Sequence, residues 1–242
     1  MRWLTLLVFL LTAPLLAQEP PPAAGPWSGN AAVGLSLTEG NSDTTNLNLA
    51  LATIFDPKTR NVVKFDALYM RGDADGETTI DRANAGVRDE YKFSDRTYGY
   101  GEVRWLRDEL KEIESLITPM VGAGRDLVKT DAYKLSVDGG AGAIIERNTG
   151  FDQRTDGAFQ AREVFTWTIS PTANFSETLS GLWKFDDVGD ALYHFDAAIA
   201  TTITPRSELK VSLASDYKAK PSNPALEKND VSLIAALVMK FP

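Results

Sequence analysis

The sequence predicts an all-β fold: a single antiparallel transmembrane β-barrel of about twelve strands, with both termini on the periplasmic side. Three observations predict it. Polar and apolar residues alternate with a period of two through most of the chain, which places them on opposite faces of a strand. The alternating segments mostly reach or exceed the ~9–11 residues that a tilted strand needs to cross a bilayer, whereas strands of soluble proteins centre on ~5–6. Connections alternate between minimal turns and longer polar stretches, as in barrels with short periplasmic turns and larger external loops.

Bulk properties agree without deciding the matter. The chain has 242 residues, 25 Lys+Arg against 33 Asp+Glu, one histidine and no cysteine. The formal charge of −8 and the lack of a basic stripe argue against nucleic acid as a partner. Mean hydropathy is slightly negative, but an average erases an alternation of two.

The first residues, with Arg2 ahead of the apolar Leu4 to Ala17, read as a secretory signal peptide (1–17). The run is too short for a spanning helix, and without cysteine the exported protein carries no disulfide. QEPPPAAGP (18–26) is a Pro-rich spacer, and 27–242 is one barrel domain.

The first hairpin is GLSLTEGNSDTTNLNLAL, from Gly34 to Leu51, turning at Gly40 and Asn41. Leu47, Leu49, Leu51 and Phe55 lie on one face and Asn46, Asn48 and Ala50 on the other. The alternation recurs in Val63, Phe65 and Tyr69 against Lys64 and Asp66, and in Tyr193, Phe195 and Ile199 against His194 and Asp196. Minimal turns are expected at Asp56–Thr59, Ser94–Arg96, Lys129–Asp131, Ser170–Thr172 and Thr204–Ser207. Long external loops are expected at Arg71–Asp81, Asp108–Ser115, Glu146–Gly157 and Lys218–Asn229. The chain closes on DVSLIAALVMKFP, an alternating strand ending in aromatic Phe241, the form of signal by which the barrel-assembly machinery takes up its substrates. Pro242 after the aromatic departs from that form. A soluble periplasmic barrel or sandwich, with its apolar faces inside, is the alternative.

TEGNSDTTNLNL near the start, VGAGRDLVKTDAYKLSVDGGAGAIIE (Val121 to Glu146) and FQAREVFTWTISPTANFSETLSGLWKF (Phe159 to Phe185) carry a family resemblance. Together they resemble the YdiY-type "salt-induced outer membrane protein" family, a domain of unknown function, across most of Ala31 to Phe241. The resemblance implies an outer-membrane barrel, a link to salt, and no established activity.

The candidate lumen-lining set shares the polar parity: Lys64, Asp66, Arg88, Glu90, Glu102, Arg104, Lys134, Asp138, Arg162, Lys184, His194, Asp196, Lys210 and Asp216. Both signs occur, and charges in a low-dielectric lumen should pair across strands. They line a narrow pore or fill the lumen as a side-chain plug; about twelve strands falls between filled barrels of eight and open ones of 16–18.

No catalytic residue is assigned. His194 has interior parity and no serine two residues away on its strand, so it reads as an interior hydrogen-bonded histidine. DADGE (Asp73 to Glu77) begins like a calcium loop but lacks the ligand spread and closing Glu, and no metal or cofactor is expected. Asp89, Arg125, Glu163 and Glu177 fall on the apolar parity, and counting from the Ser170–Pro171 turn sets Glu163 opposite Glu177. Tyr98, Tyr100, Trp105, Trp167, Trp183 and Tyr193 suit interfacial belts.

The expected function is a small pore or permeability-modulating protein of the bacterial outer membrane, tied to salt or osmotic stress through the resemblance. The alternative is a non-conducting barrel whose acidic loops meet divalent ions, lipopolysaccharide or a protein. Expected partners are outer-membrane lipids, lipopolysaccharide and the assembly machinery, but no nucleic acid; the oligomeric state is open.

Overall fold

The computed structural model describes residues 25–39, 44–74, 77–221 and 223–242. The leader, most of the spacer and the turn at Gly40 and Asn41 lie outside them.

Twelve antiparallel strands pair in sequence order and the ring closes between first and last. They are β1 (Trp27–Glu39), β2 (Thr44–Phe55), β3 (Asn61–Ala74), β4 (Glu77–Lys92), β5 (Thr97–Asp108) and β6 (Ile113–Lys129). They continue with β7 (Tyr133–Asn148), β8 (Arg154–Ser170), β9 (Ala173–Lys184), β10 (Ala191–Thr204), β11 (Ser207–Lys218) and β12 (Asn229–Phe241). The closing ladder runs from Gly29↔Phe241 to Glu39↔Val231. Closure leaves no strand edge, the condition for a sheet to sit in hydrocarbon.

The barrel is apolar outside and polar inside. Leu35 and Val121 are 60% and 69% exposed, whereas Ser36 and Arg88 on the inner parity are 1% and 5%. A band of exposed Leu, Val and Ile encircles the wall, far beyond the patches soluble monomers tolerate. The soluble alternative is thereby overturned: its apolar face would be the buried one. Aromatic rings mark both ends of the band. Trp27 packs on Phe55 at 4.8 Å and Tyr133 on Trp167 at 6.0 Å near the short turns. Phe159, Trp183, Tyr193 and Tyr217 form a chain near the opposite end, where Trp183 Nε1 donates to Tyr193 Oη at 3.0 Å. Such girdles belong at the two membrane interfaces.

Four expectations need correction. Tyr98 and Tyr100 are lumenal, because they share the inner parity of Glu102 and Arg104 on β5; Tyr100 is 6% exposed. The Gly-rich middle makes room for them. A Cβ on Gly124 would stand 2.4 Å from Tyr98, and one on Gly122 or Gly140 within 2.7 Å of Tyr100. Second, three of the four expected long loops are in part strand, and only Lys218–Asn229 stays a connection between strands. β3 and β4 pair as far as Ala74↔Glu77, β7 and β8 continue to Asn148 and from Arg154, and a single 3₁₀ turn (Glu109–Lys111) joins β5 to β6. Each added ladder step pairs backbone groups that a loop would leave to water.

Third, Glu163 faces Leu179 and Glu177 faces Phe165, because the turn is centred on Pro171–Thr172, with Ser170 paired to Ala173, and a bulge between Thr168 and Ser170 shifts the register by one residue. Fourth, the lumen is not lined by polar residues alone. Ile113, Leu116, Met120, Ile144 and Ala158 pack with Tyr100 inside the barrel, against Leu106, Leu182 and Leu192.

Candidate lumenal site

Period-two alternation turns one side chain in two inward, and closure brings strands distant in sequence face to face. The inward charges therefore meet across the lumen in layers.

The middle layer joins four cations and four carboxylates, all on the inner parity of β3, β4, β5, β7 and β8. Arg88 is its hub. Its Nε lies 2.8 Å from Glu90, Nη1 3.4 Å from Glu102 and Nη2 3.0 Å from Asp138. The guanidinium also sits 3.6 Å from the centre of the Tyr100 ring, within cation–π range. Lys64 completes Glu90 at 2.7 Å, and Arg162 reaches Asp138 at 2.9 Å and Glu102 at 3.5 Å. Arg104 grips both oxygens of Asp66, at 2.7 and 3.2 Å. Gln160 Nε2 donates to Tyr100 Oη and to Glu102, and Tyr98 Oη donates to Asp138.

A second layer crosses the lumen near the end opposite the short turns. Arg82 on β4 reaches Asp216 on β11 at 2.6 Å, five strands away around the ring in one direction and seven in the other. Asp216 also takes His194 Nδ1 at 2.8 Å, and Arg82 Nε stands 3.6 Å from Asp108. Lys111, brought in by the 3₁₀ turn, pairs with Asp230 and donates to the Asp216 carbonyl. Beside them Glu146 takes both Lys184 and Lys218, and Lys184 reaches Asp190 at 2.7 Å.

Towards the short turns two of the pairs are looser. Lys210 stands 3.9 Å from Asp196 and Lys134 3.7 Å from Asp126 at the rim, while Lys240 pairs with Glu208. The fourteen sequence-selected residues thus divide among these three levels. Arg82, Asp108, Lys111, Asp126, Glu146, Lys218 and Asp230 join them without having been selected. Glu146 was assigned to a loop that is strand, and Lys111 enters from a turn, where parity has no meaning.

Packing across the lumen is uneven. Arg88, Glu90, Glu102 and Asp138 are buried, with the apolar cluster beside them. The side chains of Asp66, His194, Lys64 and Lys210 keep 39–44% exposure, and Arg104 37%. Solvent therefore reaches the β3, β10 and β11 side of the lumen and is barred at Arg82–Asp216.

His194 has Ser180 as its register partner on β9 and Asp216 on β11. Its ring is hydrogen-bonded to Asp216, and no hydrogen bond joins it to the Ser180 hydroxyl. Among the described residues, no group of three or more His, Asp or Glu side chains is placed to hold a metal ion.

The fold is shared with solved porins. The NanC porin superposes with a TM-score of 0.60 at 11% identity, covering 87% of this chain and all of that one. The KdgM porin, solved with disordered oligogalacturonate, gives 0.52 at 8%, over 88% and 99%. An outer membrane channel from Pseudomonas putida F1 gives 0.53 at 13%, over 93% and 100%. In sequence, the uncharacterized protein YdiY of Escherichia coli (strain K12) is 21% identical over 217 residues, 88% of this chain and 82% of that protein. The family described as protein of unknown function, DUF481, matches residues 31–241, nearly the whole barrel, and the chain belongs to that family.

Proposed function

We propose that this barrel is a narrow, permeability-modulating pore of the outer membrane. The observation that carries this reading is the solvent-reached strip of mixed charge, Lys64, Asp66, Arg104, His194 and Lys210, closed at one level by Arg82–Asp216. The closing pair is made by the Arg82 and Asp216 side chains, so substitutions at these two positions act on the closure directly. Equal numbers of cations and carboxylates in the middle layer favour small solutes or ions with little charge preference. A link to salt or osmotic stress belongs to the same proposal and rests on the family resemblance.

The test is single-channel conductance of the refolded chain in a planar bilayer. Small discrete openings are expected, larger or more frequent in Arg82→Ala and Asp216→Asn, and altered by Lys64→Ala with Arg104→Ala. A folded barrel that stays silent with all these variants would sink the pore reading. It would favour the second reading, a non-conducting interaction barrel, which the apolar cluster of Ile113, Leu116, Met120 and Ile144 inside the lumen supports. Contacts with lipopolysaccharide, and uptake by the assembly machinery through β12, belong to either reading.

A further inference from the structure

The outer wall over β5–β9 differs from the rest of the barrel in two ways. One row of paired residues, Gly99–Ala123–Gly139–Ala161–Gly181, carries only glycine and alanine across five strands. The Phe93 ring lies against Gly99 and the Trp183 ring against Gly181. Ala123, Gly139 and Ala161 therefore form the floor of a trough with aromatic sides. The adjacent outward row reads Thr97–Arg125–Val137–Glu163–Leu179, with Glu177 diagonal to Glu163. Arg125 and Glu163 are exposed on this apolar face, and Glu177 is half-buried. None of the three has a side-chain hydrogen bond or ion pair within the described residues. An outward Arg is costly at the bilayer midplane and much less so at its edges.

We infer that this wall is the contact between two copies of this chain, related by a two-fold axis along the membrane normal passing near Val137. Val137 stands between Arg125 and Glu163 in one row, each one strand away. Rotation about that axis exchanges their positions, so each Arg125 faces the carboxylates of the other copy. A two-fold contact of this kind is self-complementary. The row climbs with strand tilt, by roughly 6 Å from β6 to β8, and Glu177 extends the acceptor surface along the strand direction. The Gly/Ala floor lets the two walls approach closely, which is how membrane interfaces pack without a hydrophobic drive between them.

Charge selects this occupant over others. A lipid chain would fill the trough and leave all three charges unpaired. A phosphate headgroup would answer Arg125 and repel both glutamates. A second copy answers both signs at once, whether or not the lumen conducts.

The chain has no cysteine, so single reporters are unambiguous. A Cβ at Gly139 meets its nearest atom at 3.5 Å, so Gly139→Cys fits without strain. Leu35→Cys sits on β1, opposite β7 in the ring, and is exposed. In vesicles at high lipid dilution, mild oxidation should give a disulfide-linked dimer with Gly139→Cys and leave Leu35→Cys monomeric. Arg125→Glu should weaken association about tenfold or more, the ratio that ~1.4 kcal/mol gives, and adding Glu163→Arg should restore it. Heat-modifiable mobility checks that every variant is folded. Equal cross-linking at both positions, or association unmoved by Arg125→Glu, would overturn the inference. So would a monomer at all concentrations, and one that retains phospholipid would assign the trough to lipid.

Discussion

Arg88 is the side chain whose loss the structure prices most directly. Replacing it with Met keeps volume and removes one cation from a middle layer of four cations and four carboxylates, so three cations face four. Lys64 still holds Glu90, and Arg162 still holds Asp138 and Glu102, so no single carboxylate is abandoned. Arg88 and its three partners are nonetheless buried. Removing one partner of a buried pair costs about 3–5 kcal/mol, and the shared partners place this case near the lower end, about 3 kcal/mol. Arg104→Met is the comparison: its pair with Asp66 is 37–44% exposed, so its loss should cost below about 1 kcal/mol. The assay is urea unfolding of the refolded barrel in lipid vesicles, followed by tryptophan fluorescence and heat-modifiable mobility. Arg88→Met with Asp138→Asn should recover part of the loss, because the second change removes the surplus negative charge. If Arg88→Met proves no worse than Arg104→Met, or if Asp138→Asn deepens the loss, Arg88 is not the hub of the lumen.

Three further outcomes are expected. Glu146→Leu should cost about 3–5 kcal/mol, since it strands the buried Lys218, while Lys218→Met should cost less because Glu146 keeps Lys184; the same unfolding assay reads the asymmetry. Gly142→Ala drives a Cβ to 2.0 Å from the Pro119 backbone carbonyl, which cannot swing aside, and should lose about 1–3 kcal/mol, whereas Gly139→Ala should be near neutral. Outside the membrane, the hydrogen bond from Lys220 holds the Asp187 carboxyl below its ordinary value of 3.8. A carboxyl lowered in the folded state adds stability above its unfolded value and loses it as pH falls through the folded one. The protection factor of the 185–190 amides, exchange corrected for its intrinsic pH dependence, should therefore be flat between about pH 5 and 8 and fall only below about pH 4; an unchanged profile in Lys220→Met would show the contact to be idle.

Much of the fold was legible because alternation is local. Whether a strand turns Leu47 or Asn48 outward depends only on its neighbours, so fold class, strand number and the inward parity of Arg88 or Asp138 could be read from the chain. Parity also marked Asp89, Arg125, Glu163 and Glu177 as outward charges. It stopped at irregularities. The centre of the Pro171–Thr172 turn and the bulge beside it, neither visible as a pattern, set Glu163 opposite Leu179 rather than Glu177. Hydrophobic character likewise pulled Tyr98 and Tyr100 to the wrong side, although their even numbering on β5 placed them with Glu102. Glu146 and Lys111 escaped because acidic stretches read as loops were strand or an inserted turn.

The amino-acid sequence by itself determined a membrane barrel, its twelve-strand scale and the sign and face of its charges, since these follow from period and composition. Only closure of the ring decided which charges meet. Arg82 and Asp216 lie 134 residues apart, and no local pattern relates them. They touch because twelve tilted strands bring β4 and β11 within a side chain's reach across a lumen too narrow to leave either one in bulk water.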